Sequence, residues 1–317
     1  MSVASLAIHG GAGLIRRDSL SNDRERACKA SLHAIVEAVK WQLDAGMSAL
    51  DAVEMAVMRL EDDPLFNAGR GAVYNANEEI EFDASIMDGA TGQLGALGSA
   101  RFVKNPISLA RGIMEKTPHV MMSGVGAEEL ARRLGLPMEE LAYFHVQERL
   151  EQVRRAQKTG AFSLDHDDDR DDVYGTVGAV ACDRHGRVAC ATSTGGMVNK
   201  LPGRVGDTPV MGSGFFASKT CAVSATGHGE AIIRAMVASR VAQRMEFLGL
   251  GLADAASQAI EDLHGAGGQG GIIAVDSQGN LAMPYNTAGM FRGAVGPHQP
   301  ITVAIWDTPS LVLEVDH

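Results

Sequence analysis

Asp165-His-Asp-Asp-Asp-Arg-Asp-Asp-Val-Tyr-Gly-Thr-Val-Gly-Ala-Val-Ala-Cys182 is the stretch on which the reading of this chain turns. Its first half holds six aspartates in eight residues, which cannot pack as core and reads as a solvated linker over residues 159–175. The spacing of a calcium loop, with its central glycine and distal glutamate, is absent. The second half is abruptly apolar and β-prone. An exposed segment running into a buried strand is a border suited to chain cleavage. Glycine before the bond tolerates unusual backbone geometry, and Thr176 after it carries a hydroxyl able to attack the preceding carbonyl. Cleavage there leaves an N-terminal threonine, with nucleophile and base in one residue, because an α-amino group has a pKa of roughly 7.7–8.0.

Gly-Thr pairs are common, so the junction needs support from elsewhere in the chain. Downstream, Thr176–Cys182, the turn Arg184-His-Gly186 and Arg187–Ser193 read as a hairpin that returns the hydroxyls of Thr192-Ser-Thr194 beside Thr176. Arg204 and Asp207 stand three apart in a glycine-punctuated loop. Together they suit the carboxylate and ammonium of an amino acid, or else form a mutual surface pair of little worth. Ser224-Ala-Thr-Gly-His-Gly-Glu230 follows a strand and opens a helix, so its backbone N–H groups suit a developing oxyanion. It lacks the Lys-Ser/Thr of a phosphate loop, and His9-Gly-Gly-Ala-Gly13 has no G-x-S-x-G motif to make a lipase of it.

Upstream, Val3–Ile8 reads as a strand ending in the tight glycine loop His9–Gly13. Helices are predicted over Asn22–Leu43, Ser48–Leu60, Pro106–Lys116, Gly124–Leu134 and Glu139–Lys158, with strands over Glu79–Met87 and Leu94–Val103. Later come a strand over Cys221–Ala225, helices over Glu230–Phe247 and Leu252–Leu263, and strands over Gly270–Val275, Leu281–Pro284 and Ile301–Ile305. Helices and antiparallel hairpins in both halves suggest sheets packed face to face under helices.

Composition narrows the function classes. Lys plus Arg is 28 against 39 acidic residues, a net charge of −11 that disfavours nucleic-acid binding. No apolar run approaches the roughly 18 residues of a membrane span, and the first residues lack a signal-peptide pattern, so a cytoplasmic protein is expected. The four cysteines, Cys28, Cys182, Cys190 and Cys221, show no metal-ligand spacing and read as reduced thiols.

Seven ordered blocks together resemble the plant-type asparaginase and isoaspartyl peptidase family of N-terminal nucleophile hydrolases. They are His9–Gly13, Asn67-Ala-Gly-Arg-Gly71, Asp83-Ala-Ser-Ile-Met-Asp-Gly89, Gly175–Ala179, Thr192–Gly196, Gly203-Arg-Val-Gly-Asp-Thr-Pro209 and Thr226-Gly-His-Gly-Glu230, and they cover essentially the whole chain. The resemblance implies an α/β fold, a four-layer αββα sandwich. It implies one domain over residues 1–317, cut into an α-chain of 1–175 and a β-chain of 176–317, and a dimer of such pairs. Thr176 is then the nucleophile, supported by Thr194. Arg204 holds the substrate α-carboxylate and Asp207 its amine. Thr226 and Gly227 form the oxyanion hole, with Gly229 nearby, and Asn67 orders the site. Main-chain oxygens of Leu60, Glu61, Asp63, Phe66, Ala68 and Arg70 resemble a structural sodium loop, with potassium the alternative ion; no organic cofactor is implied. The expected substrates are β-aspartyl dipeptides and L-asparagine. His228 replaces a smaller polar residue of relatives and reads as structural. A glycosylasparaginase, which usually carries a secretory signal and disulfides, and a non-enzymatic binding module are the competing readings.

Overall fold

The computed structural model describes residues 4–159, 175–306 and 310–313; the acidic linker therefore lies almost wholly outside the described residues. The first part runs β1 (Ser5–Gly13), α1 (Asn22–Asp44), α2 (Ala49–Asp62), β2 (Phe82–Asp88), β3 (Leu94–Ala100), α3 (Pro106–Lys116), β4 (Met121–Ser123), α4 (Gly124–Arg133), α5 (Leu141–Phe144) and α6 (Gln147–Thr159). The second runs β5 (Val177–Cys182), β6 (Val188–Thr194), β7 (Phe215–Ala217), β8 (Cys221–Gly227), α7 (Gly229–Ala235), α8 (Val237–Leu248), α9 (Leu252–Gly265), β9 (Gly270–Asp276), β10 (Leu281–Pro284), β11 (Gly289–Val295), β12 (Thr302–Ala304) and β13 (Ser310–Leu313).

The hairpin after Gly175 forms as its sequence dictates. Asp183 N–H donates to Arg187 O at 2.9 Å, its carboxylate accepts from the N–H groups of His185 and Arg187, and Gly186 takes φ +75°. Along β5, Val177, Ala179 and Ala181 face the helices while Val180 and Cys182 face the other sheet. This period of two, apolar on both faces, marks a strand buried on both sides. The strand sits at the middle of an eight-stranded sheet ordered β12-β11-β1-β5-β6-β2-β3-β4. A second sheet is ordered β13-β10-β9-β8-β7.

Residues of α1–α4 pack on the outer face of the large sheet, and α7–α9 cover the outer face of the small one. Between the sheets lie Ala7, Val180, Cys190, Phe215, Ile273 and Met283. The order helix, sheet, sheet, helix gives four layers. The large sheet interleaves strands from both sides of residue 175, with β1 held between β5 and β11. All four cysteines are free and buried, and burial pushes their thiols above the ordinary range.

Four readings are corrected. The His9–Gly13 block is strand, not a loop after one: β1 continues through it, paired to β5 as far as His9 and to β11 as far as Gly13, with a bulge between His9 and Gly11. The helix expected over Glu139–Lys158 is two, because Phe144 is pulled into a ring contact with Phe82 and His145 bonds the Tyr74 hydroxyl. The helix expected over Glu230–Phe247 breaks at Met236, whose left-handed backbone separates α7 from α8. Finally β4, β7, β11 and β13 were not expected; three of them are only three or four residues long, and β11, Gly289-Met-Phe-Arg-Gly-Ala-Val295, is diluted by glycine.

Candidate active site

Thr176 is 5% exposed and sits one residue before β5. Continuing the β5–β6 register, in which Val177 opposes Ser193, puts it across from Thr194. Its hydroxyl lies 3.5 Å from that of Thr208. Its own carbonyl is held by His9, whose Nδ1 donates to Thr176 O at 2.9 Å. That assignment follows because a carbonyl only accepts. His9 Nε2 is then the acceptor for the Ser224 hydroxyl at 2.9 Å, and Ser224 in turn meets the Thr192 hydroxyl at 2.9 Å. Burial depresses His9 to about 3, so the ring is neutral at any ordinary pH. A chain of uncharged groups thus crosses from one sheet to the other and ends on the backbone of Thr176.

Gly175 is packed from two sides. A methyl at Gly11, whose φ is +112°, would meet Gly175 N at 2.7 Å and Gly175 O at 2.9 Å. A methyl on Gly175 itself would fall 2.3 Å from Thr226 Oγ1. Both glycines are therefore required by close approach. Thr226 is fully buried and accepts from Ala12 N–H at 3.2 Å.

A small cleft, walled in part by the still-attached Gly175, opens onto this junction. Thr176, Thr194, Arg204, Asp207 and Gly227 all line it, together with Gly175, Thr208 and His228. Thr226, Asn67 and Gly229 stand one layer back. Thr194 Oγ1 accepts from Gly196 N–H at 2.9 Å, and Asn67 braces the same turn by donating to Gly196 O at 2.7 Å and accepting from Val73 N–H at 3.0 Å. His228 is a wall residue: its N–H donates to Gln269 O at 2.8 Å, and its ring stands 3.7 Å from Glu230.

The charged side is built on the loop of residues 199–208. Asp207 Oδ2 is buried without a hydrogen-bond partner among the described residues, and burial pushes the carboxyl up to about 7 despite the nearby Arg204. Arg204 does not form the surface pair with Asp207 that spacing alone allowed. It donates instead to Glu230, Nε to Oε1 at 3.0 Å and Nη2 to Oε2 at 2.9 Å. Beneath the loop, Asp83 accepts from Ser99 N–H at 3.0 Å and Gly206 N–H at 3.3 Å, Glu81 accepts from Gly203 N–H, and buried Lys200 donates to Glu81 O at 3.0 Å. Sequence reasoning passed over His9, Asp83, Ser224, Thr208, Glu230 and Lys200. The Asp83 and Thr226–Glu230 blocks held two of the signals, since each carries a carboxylate with no other assigned task.

The expected cation loop can be tested on its carbonyls. The last turn of α2 leaves Leu60 O without a helical donor, because residue 64 is proline and has no N–H. Glu61 O is freed likewise, since Leu65 N–H turns to Asp63 Oδ1 at 2.9 Å. Gly69, at φ +49°, folds back so closely that a methyl there would lie 2.4 Å from Glu61 O. Main-chain oxygens left without donors are the ligand type that a hard cation takes. Asp63, Phe66 and Ala68 oxygens each accept one backbone bond in the loop and keep a second lone pair.

The asparaginase family model matches residues 2–305. The chain belongs to the asparaginase family. Among its relatives, an isoaspartyl peptidase of Escherichia coli is 48% identical over 297 residues, covering 92% of each chain. A plant-type L-asparaginase of Pyrobaculum calidifontis is 40% identical, covering 92% of this chain and 96% of its own. An isoaspartyl peptidase/L-asparaginase of Mus musculus is 41% identical over 295 residues. As a member of the asparaginase family the chain is a hydrolase with the mixed α/β architecture of N-terminal nucleophile enzymes. Among the described residues, no helix is long and apolar enough to cross a membrane.

Proposed function

We propose that this chain cuts its own backbone between Gly175 and Thr176 and that the freed Thr176 hydrolyses β-aspartyl dipeptides and L-asparagine. One observation carries the reading. Thr176, whose hydroxyl follows a glycine crowded from two sides, lines the same cavity as Arg204, Asp207, Thr194 and Gly227.

In the uncut chain Thr176 Oγ attacks the Gly175 carbonyl carbon. The C–N bond breaks, the nitrogen takes up a proton as the new α-amine, and water hydrolyses the ester. The interleaved large sheet then holds the two pieces together. In turnover, Arg204 and Asp207 grip the carboxylate and ammonium of the aspartyl head group and present its side-chain amide. Thr176 Oγ attacks while its α-amine takes the hydroxyl proton. Thr226 Oγ and Gly227 N–H stabilise the oxyanion. The proton passes to the departing ammonia or amino acid, and water releases aspartate. His9 holds Thr176 O throughout, so the residue keeps its place after the cut. A sodium or potassium ion in the loop of residues 60–70 would brace the turn carrying Asn67. The mature form is proposed to be a cytoplasmic dimer of α–β pairs.

Denaturing electrophoresis with N-terminal sequencing tests the first half of the proposal. Two bands, one beginning at Thr176, are expected for the parent and a single band for Thr176→Ala, which should also lack turnover. An active preparation that stays one unbroken polypeptide would refute it. Comparing kcat/KM for β-aspartyl-leucine and L-asparagine tests the substrate class.

A further inference from the structure

Arg204 presents two edges that can each hold a carboxylate: the side edge, Nε with Nη2, and the end edge, Nη1 with Nη2. Glu230 takes the side edge with two bonds of 3.0 and 2.9 Å. The end edge is kept clear by glycine. A methyl at Gly206 would meet Nη1 at 2.8 Å. One at Gly229 would lie 2.9 Å from Nη2 and 2.8 Å from Asp207 Oδ1. Neither glycine has a positive φ, so space and not backbone conformation is what requires it there. The end edge and Asp207 Oδ1 thus converge on one small volume beside the cavity, where Arg204, Gly206, Asp207 and His228 all form wall.

We propose that Glu230 is a positioning residue: by holding the side edge of Arg204 it turns the bare end edge toward the substrate α-carboxylate. This rests on the amino-acid recognition by Arg204 and Asp207 proposed above. The physical need for such a residue follows from the neighbours. Arg204 lies close enough to Asp83 and Asp207 to stabilise both carboxylates. Released from Glu230, the guanidinium would swing onto one of them. An Arg204–Asp207 pair would withdraw both recognition groups from the substrate at once. Glu230 itself is anchored in the first turn of α7, with the His228 ring 3.7 Å from Oε2 on its other side.

The test uses matured enzyme carrying Glu230→Gln or Glu230→Ala, with Gly206→Ala as an independent variant that keeps Glu230 but crowds the end edge of Arg204 without touching Asp207. Substrates are L-asparagine and 3-aminopropanamide, which keeps the amine and the amide but has no α-carboxylate. For L-asparagine, KM should rise about tenfold or more with kcat within about threefold, and inhibition by L-aspartate should weaken in proportion. For 3-aminopropanamide, kcat/KM should change less than about twofold, which a merely structural defect would not spare. A KM that stays level or falls would overturn the proposal, a fall meaning that Glu230 competes with substrate. Equal losses on both substrates would overturn it too. If the Glu230 variants fail to mature, Gly206→Ala decides by the same split. Failure of the parent enzyme to turn over L-asparagine or β-aspartyl-leucine would defeat the functional reading instead, whereas normal turnover with unaltered KM in the variants defeats only the role of Glu230.

Discussion

The two walls of the site are built on opposite electrostatic terms. The wall behind Thr176 is neutral: His9, Ser224 and Thr192 form a hydrogen-bonded row with no net charge, and His9 is wholly buried. The opposite wall packs Asp83, Lys200, Arg204, Asp207 and Glu230 into a few layers, mostly buried. Placing a nucleophile calls only for donors and acceptors that match. Recognising a zwitterion calls for charges, and charges inside a protein need partners or they shift their protonation. Burial itself acts alike on both walls. Burial drives His9 down to about 3 and Asp207 up to about 7, each toward its uncharged form. Asp207 is left poised to be recharged by an incoming ammonium.

The sharpest way to break this contrast is at His9. His9→Phe removes the His9 donor from Thr176 O, at about 1–3 kcal/mol for the orphaned carbonyl, and leaves Ser224 Oγ with the Thr192 hydroxyl alone. Self-cleavage, followed as fragment appearance on a gel, should slow by at least about a hundredfold, because the carbonyl next to the scissile bond loses its anchor. The sign of the pH dependence follows from the depressed pKa. In the parent, His9 contributes stability above the unfolded value of 6.5 that is lost as pH falls toward about 3. The deficit of the variant in thermal midpoint should therefore be greatest near pH 8 and shrink toward pH 4. A deficit independent of pH would mean that His9 titrates alike in the folded and unfolded chain, so that burial does not hold the ring neutral.

Asp207→Asn probes the charged wall and should show the opposite trend. A raised carboxylate pKa means that stability present below the unfolded 3.8 is lost as pH rises to about 7. The isosteric amide escapes that loss, so its thermal midpoint relative to the parent should climb between pH 4 and 7 and level off above. Its kcat/KM for L-asparagine should fall about a hundredfold, for want of a charge facing the ammonium. In the parent, kcat/KM should decline in acid with a slope approaching two, since Asp207 and the Thr176 amine must both lose a proton; residual activity in the variant should show a slope near one.

The smallest effect is expected one layer back. Asp83→Asn keeps the shape but can accept only one of the two N–H bonds from Ser99 and Gly206. KM should rise about three- to tenfold, the worth of one weakened backbone tether, with kcat within about twofold. A collapse of kcat instead would tie the charged wall to Thr176 itself and dissolve the distinction between the two walls.

Much of this was legible without coordinates. The period-two pattern after Gly175, the Asp183–Arg187 turn, the capped start of α2 at Ser48 and the order of seven glycine-rich blocks are local features, and local features survive in a one-dimensional string. They determined the strands flanking Thr176, most helices, and the residues now found around one cavity. The tertiary structure alone decided what those residues touch. His9 reaches Thr176 across 167 positions and Ser224 across 215, and Arg204 takes Glu230, not Asp207, as its partner. It also decided that the glycines of His9–Gly13 lie within a strand, because pairing with β11 as far as Gly13 holds such permissive residues in the sheet. Periodicity and turn chemistry act between neighbours in sequence, whereas hydrogen bonds between sheets depend on register and layer spacing, which no short stretch encodes.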